Sequence, residues 1–288
     1  TTEGLTLVCQ VLPLKEGDEI ITTTLEHGGG EVGLEYLVKT RGAKLIKVEL
    51  PLPPDDPAAI LKVIESAITP RTRLIMLSHV NTITGMLMPV ADVSRITQAR
   101  GIFLLIDGAQ APGLTPVNVT AMGCDAYACS GHKWLLGPKE TGFLYVKNGF
   151  PGTVPPVFAY NGFDTYTQSS GTRNVATIIG LGAAIDWHQS LGIEKSSAYC
   201  LQLRNYCREQ LKQVQGIRIL SPETPSLSTG IVSFELLNRK NGDVYARMKD
   251  RNIIVKVLPQ HNAIRISCHI FVTQEDIDRF ISALKEMA

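Results

Sequence analysis

Short β-rich apolar runs alternate with longer helical patterns over the first two-thirds of the chain, and that alternation limits the fold more than any other feature. Residues 20–24 read as a strand, 31–39 as a helix, 44–48 as a strand and 58–68 as a helix. The pattern continues with a strand at 74–78, a helix at 90–100 and a strand at 102–106. Residues 126–129 and 142–146 add two more strands. Strands joined through helices enter one sheet by crossovers, which predicts a mostly parallel sheet with helices on both faces. The stretch 149–171, rich in Gly, Pro, Tyr and Thr, reads as a long functional loop. Helical patterns return at 175–189 and 198–214. Beyond Gly216 the order becomes strand, strand, helix, strand, strand, helix, the last over 274–287. The expected fold is therefore α/β, with a large domain over 1–190 and a smaller α+β domain over 191–288.

Composition narrows the function. With 44% hydrophobic and 19% charged residues in 288, the chain has the balance of an ordinary globular protein. A net charge of +1 and the lack of a basic run argue against a nucleic-acid groove. No apolar stretch reaches the length of a membrane span, and the start shows no signal-peptide pattern. The six cysteines form no CxxC pair; Cys124 and Cys129 are five apart, and Cys200 and Cys207 are seven apart on what reads as one helix face. That spacing argues against a zinc site and a secreted disulfide framework, and points to a reduced cytoplasm. The chain opens on Thr1-Thr2-Glu3-Gly4 and runs straight into an apolar segment at 5–12 with no initiator methionine. We expect an N-terminal piece to be missing.

In open α/β sheets ligands sit at the carboxyl ends of the strands. Here the run 102–106 ends in Asp107-Gly108-Ala109-Gln110, and the run through Cys129 ends in Ser130-Gly131-His132-Lys133-Trp134. Taken singly, Asp107 reads as a turn cap and Lys133 as a solvated surface residue. Together they match what pyridoxal phosphate (PLP) requires. That cofactor needs a lysine amine for its Schiff base and a carboxylate to keep its ring nitrogen protonated as an electron sink. It also needs hydroxyl and imidazole donors for its phosphate and a donor to its ring hydroxyl. Lys133, Asp107, Ser130 with His132, and Gln110 supply these in turn.

The same motifs carry a resemblance. The chain resembles the class-V aminotransferase family, the cysteine desulfurase-like and isopenicillin N epimerase-like branch of fold-type-I PLP enzymes. Thr1-Thr2-Glu3-Gly4 resembles the family's TTEAIN segment, which implies that Thr1 and Thr2 meet the phosphate. Glu26-His27 resembles its EH motif, implying that His27 stacks on the pyridine ring. Ser78-His79-Val80-Asn81 with Thr84-Gly85 resembles the segment that places an asparagine, here Asn81, near the ring hydroxyl. Gly171-Thr172 resembles the GT motif, implying a homodimer in which Thr172 reaches the phosphate of the neighbouring site. Ala263-Ile264-Arg265-Ile266-Ser267 resembles the segment whose arginine, here Arg265, binds the substrate α-carboxylate; unaided, Arg265 reads as a strand arginine in a surface ion pair. The resemblance also implies a seven-stranded, mostly parallel sheet.

Two departures shape the expected reaction. Desulfurases of this branch carry a nucleophilic cysteine in an RxGxHCA-like loop, whereas residues 255–262 here hold none, and Cys268 follows Arg265 as a buried strand thiol. Arg173 stands where desulfurases usually have proline, as in the epimerase-like members, and reaches a distal substrate carboxylate or a dimer ion pair. The resemblance implies an α-amino acid substrate whose Cα proton is removed by Lys133 as general base. The carbanion then loses a β-substituent, as in a cysteine or cystine C–S lyase; epimerisation and transamination are the alternatives. We favour β-elimination.

A rival belongs to another class. Gly28-Gly29-Gly30-Glu31-Val32-Gly33 satisfies GxGxxG between a strand and a helix, with Glu49 ending the next strand, as in NAD-binding Rossmann proteins. That reading leaves His27, Asp107 and Lys133 unexplained. A PLP-fold binding protein without activity is a third reading, against which the intact Lys133 argues.

Overall fold

The computed structural model describes residues 1–149 and 174–287. The loop at 150–171 and the expectations for Thr172 and Arg173 lie outside the described residues. The elements run α1 (Thr2–Val11), β1 (Glu19–Thr23), α2 (Gly28–Arg41), β2 (Lys44–Val48), α3 (Pro57–Ser66), β3 (Thr72–Ser78), α4 (Val90–Gln98), β4 (Phe103–Asp107), α5 (Val119–Met122), β5 (Ala126–Ser130) and β6 (Gly142–Val146). After the undescribed stretch come α6 (Val175–Leu191), α7 (Ile193–Leu211), β7 (Ile217–Ile219), β8 (Ile231–Leu236), α8 (Asn241–Asp250), β9 (Lys256–Leu258), β10 (Ala263–Ser267) and α9 (Gln274–Lys285).

Strands β1 to β6 form one sheet in the order β2-β1-β3-β4-β5-β6, parallel throughout except for the antiparallel β5–β6 pair. Among the described residues the sheet has six strands, the six read from the residues, where the resemblance implied seven. Strands β1, β4 and β5 are buried at every position, because helices cover both faces. Successive side chains serve opposite cores. Ile20, Leu74 and Met76 pack with Leu5, Val8, Leu34 and Leu37 of α1 and α2. Their neighbours Ile21, Ile75 and Leu77 pack with Ile60, Ile64 and Val93 of α3 and α4.

The apolar segment at 5–12 belongs to a helix, α1, that the reading of the chain had not assigned. Leu5, Val8, Cys9 and Leu12 are buried at i, i+3, i+4 and i+7, one face of a helix. That face crosses α2 closely, since a Cβ on Gly33 would stand 2.8 Å from the sulfur of Cys9.

The second sheet is antiparallel, β7-β8-β10-β9, and its element order matches the strand and helix series expected after Gly216. Leu203, Cys207 and Leu211 of α7 and Phe280, Ile281 and Leu284 of α9 pack against Val232 and Phe234 of β8. A Thr273–Asp276 capping box starts α9, satisfying backbone donors at its first turn. No described helix is long and apolar enough to cross a membrane.

Candidate active site

Strands β1, β3, β4 and β5 all finish on one edge of the large sheet, and the chemistry-bearing residues stand at those ends. Asp107 is the last residue of β4 and pairs in register with Ser78 of β3 and Ala128 of β5. Ser130 closes β5. His27 follows β1 and caps α2, its Nδ1 accepting from the Gly29 N–H at 3.0 Å. The strand order reverses around β1, which lies between β2 and β3, so a crevice opens near this edge.

Lys133 lies where two cavities meet. The first, about 600 Å³, is lined by Thr1, Thr2, His27, Asp107, Ser130, His132 and Lys133. The hydroxyls of Thr1 and Ser130 are 2.6 Å apart. Oδ1 of Asp107 accepts from the Ala109 N–H at 2.8 Å. Burial raises the Asp107 carboxyl above its usual range; the Ala109 N–H, Lys133 and His27 pull it back. A carboxylate held this deep is costly without a cation beside it.

Glycines open the cavity at two places. A Cβ on Gly30 would stand 3.0 Å from Oδ2 of Asp107, and one on Gly29 would stand 2.8 Å from the Thr2 hydroxyl. With Gly33 spent on Cys9, the glycine-rich run serves Asp107, Thr2 and the crossing of α1 on α2.

A tight turn presents Lys133. Gly131 N–H donates to the Thr141 carbonyl and Gly137 N–H to the Gly131 carbonyl, each at 2.8 Å, and Leu136 N–H to the Lys133 carbonyl at 3.1 Å. Burial lowers the Lys133 ammonium below the usual lysine range, with Asp107 opposing and Arg265 adding to the shift. A depressed amine is a better nucleophile and base at neutral pH. Burial, and then Lys133, also lower His132, which favours its neutral form.

The second cavity, about 630 Å³, has Lys133, Gln110, Trp134 and Arg265 at one end. NH1 of Arg265 donates to the Thr82 carbonyl at 2.9 Å and the Thr82 hydroxyl at 2.7 Å. Its Nε is buried with no partner among the described residues. Gln110 accepts from the Trp134 indole N–H at 2.9 Å, while its own amide stands 3.4 Å from the Thr82 hydroxyl.

The structure therefore brings together Thr1, Thr2, His27, Asp107, Ser130, His132 and Lys133 around one cavity, and Gln110, Lys133 and Arg265 around the other. Asn81 lines neither. Its side chain donates to the Leu25 carbonyl at 2.8 Å and accepts from the N–H groups of Ile83 and Thr84 at 3.0 Å, which shapes the turn carrying Thr82. Sequence reasoning missed Thr82, the hinge between Gln110 and Arg265; its one signal was its place inside the Ser78–Gly85 motif.

A polar layer supports the site. Glu26 is buried, accepting from Thr23 at 2.8 Å and from the Ser78 N–H at 3.0 Å and hydroxyl. Burial pushes its carboxyl up to about 7, against the hydrogen bonds from Ser78 and Thr23. His79 and the Tyr127 hydroxyl share a 3.0 Å hydrogen bond, and burial pushes the His79 imidazole down to about 4.

A buried carboxylate at one strand end, a lysine at the next, and hydroxyls and imidazole beside them on a mostly parallel sheet define a PLP-dependent enzyme of fold type I. Residues 1–280 match the model of the aminotransferase class-V family, and the chain belongs to that family. It is 31% identical to isopenicillin N epimerase of Streptomyces clavuligerus over 98% of this chain and 77% of that protein. It is 33% identical to cysteine desulfurase of Salmonella agona over 99% of this chain and 75% of that protein. Its fold matches the cystine C–S lyase C-DES in complex with cysteine persulfide, with TM-score 0.84 at 22% identity, covering 99% of this chain and 79% of the other. A variant of C-DES, with glycine covalently linked to its PLP cofactor, superposes with TM-score 0.85, also at 22% identity, over 99% of this chain and 78% of the other. The family assignment displaces the dinucleotide reading of Gly28–Gly33.

The residues fit PLP. A protonated pyridine nitrogen would give the buried Asp107 carboxylate a further cationic partner, and Gly30 sets no side chain against its Oδ2. Thr1, Thr2, Ser130 and His132 form a donor set suited to a phosphate.

Proposed function

We propose that the protein is a PLP-dependent β-eliminating lyase acting on an α-amino acid, of the cysteine or cystine C–S lyase kind. The observation that carries this reading is the position of the cysteines. All six are buried, and none lines the cavity shared by Lys133 and Arg265. Cys129 borders the other cavity, but burial pushes its thiol up to about 12. The link from β9 to β10, the four residues 259–262, holds no cysteine. Sulfur then leaves with the product instead of passing to the protein.

Bound PLP supplies an electron sink for the pair released at Cα. The chain's own groups do the rest. Arg265, anchored through NH1 on Thr82, offers its remaining donors to the substrate carboxylate, a match of fork to carboxylate. Asp107 would keep the ring nitrogen protonated, and His27 would stand against the ring. Ser130, His132, Thr1 and Thr2 would hold the phosphate, and Gln110, oriented by Trp134, would donate to the ring oxygen. The Nζ of Lys133 would hold the cofactor and is the base for the Cα proton. The same reading takes the molecule as a cytoplasmic homodimer of two-domain subunits, 1–190 and 191–288, in which the family resemblance implies that Thr172 serves the neighbouring site and Arg173 a distal substrate carboxylate or a dimer ion pair.

The relative named as an epimerase supports inversion as the second reading. One screen separates them. Purified holoenzyme is offered cysteine, cystine, cysteine thioethers and separate D and L amino acids, scoring pyruvate, thiol and inversion. Pyruvate with stoichiometric thiol or persulfide is expected; inversion or keto-acid formation without sulfur release overturns elimination.

A further inference from the structure

The cavity between Lys133 and α9 is larger than cysteine needs. It holds about 630 Å³ and runs from Lys133 and Arg265 past residues 252–256 to the first turns of α9. A bound amino acid has its amine fixed near Lys133 and its carboxylate at Arg265, so the remaining space receives its side chain.

One wall of that space is a stack of rings. Trp134 lies on His269 with centroids 4.8 Å apart and planes 11° from parallel, and His269 lies on Phe271 at 4.3 Å and 19°. The indole is fixed by its hydrogen bond to Gln110. Burial pushes His269 down to about 4, so the stack carries no charge at neutral pH. Phe271 is 68% exposed and Ile254, which also lines the cavity, 80% exposed. Large apolar side chains left open around one cavity mark a surface that awaits a ligand.

We propose that this wall selects α-amino acids whose side chain ends in an aromatic ring, which under the elimination reading makes an S-aryl cysteine the substrate. A flat ring gains stacking and burial against the wall that a methyl or thiol cannot. In the elimination, Lys133 takes the Cα proton, the Cβ–S bond breaks, and its electron pair leaves with sulfur as the aryl thiolate. The released 2-aminoacrylate is hydrolysed by water to pyruvate and ammonium. The sum is S-aryl cysteine plus water giving aryl thiol, pyruvate and ammonium, with no net oxidation.

Binding and fate are tested separately. L-Homophenylalanine copies S-phenylcysteine with carbon in place of sulfur and cannot eliminate; L-2-aminobutyrate copies cysteine in the same way. Holoenzyme is titrated with each, following the visible absorbance of the bound cofactor. Homophenylalanine is expected to bind about ten-fold tighter or better. The exposed Phe271 can be cut back without threatening the fold, and Phe271→Ala should lower that preference about five-fold. Equal binding of the two compounds, or a preference untouched by Phe271→Ala, overturns the inference. S-phenyl-L-cysteine then reports on the reaction alone. Preferred homophenylalanine binding without pyruvate or thiophenol from S-phenylcysteine upholds the wall and refutes elimination.

Discussion

Asp107 concentrates the electrostatics of the site in one side chain. Burial raises its carboxyl, while the Ala109 N–H, Lys133 and His27 oppose that shift, and a protonated ring nitrogen beside it would oppose it further. Asp107→Asn keeps the shape and removes the charge. Loss of one preorganised electrostatic partner typically costs about 10²–10³ in kcat, and a fall of that order is expected while part of the cofactor stays bound. Turnover near the parent's would refute the role. Glu26 gives a different signature. Its folded carboxyl titrates at about 7, above the ordinary glutamate range, so its stabilising contribution is full at low pH and disappears as pH rises through 7. Glu26→Gln can keep the same contacts, its oxygen accepting from Ser78 and its amide donating to Thr23. Its melting temperature should therefore match the parent's near pH 5 and exceed it increasingly up to pH 8. His79, whose contribution runs the other way and fades as pH falls through about 4, cancels in this comparison. A difference independent of pH would contradict the buried titration.

The elements show why some of this was legible in the sequence and some was not. Strands β3, β4 and β5 were readable because burial on both faces forces near-continuous apolar runs, and each run stops at a polar or glycine-rich strand end. Helix α1 escaped because its apolar face and a buried strand look alike over eight residues; only the spacing of Leu5, Val8, Cys9 and Leu12 separates them. Asp107, Lys133 and Ser130 could be read because they fall beside one another at neighbouring strand ends. Thr82 could not, because its partner Arg265 lies 183 residues away. The glycine run illustrates both. Its motif was visible, but its purpose needed the helix that crosses it. Gly28 has open space around its missing Cβ, whereas Gly33 faces Cys9 and Thr6. Gly28→Ala should change stability by less than about 0.5 kcal/mol, and Gly33→Ala should cost about 1–3 kcal/mol by overpacking. Denaturant titration of the two variants decides it: equal costs would contradict the packing role of Gly33.

At the scale of the molecule, two sheets carry different parts of the candidate site. The parallel sheet contributes the edge that carries Asp107, Ser130 and Lys133, and the antiparallel sheet contributes Arg265. The turn after β3 joins them, with Thr82 touching both Gln110 and Arg265. Lys133 lines both cavities, and the proposed function gives it both the cofactor and the Cα proton, so its test is the most direct. Holoprotein is reduced with borohydride, digested and mapped by mass spectrometry. The account predicts a phosphopyridoxyl group on the peptide containing Lys133 and none in Lys133→Ala protein treated the same way. A reduced adduct on another lysine, or one that survives in Lys133→Ala, would contradict it.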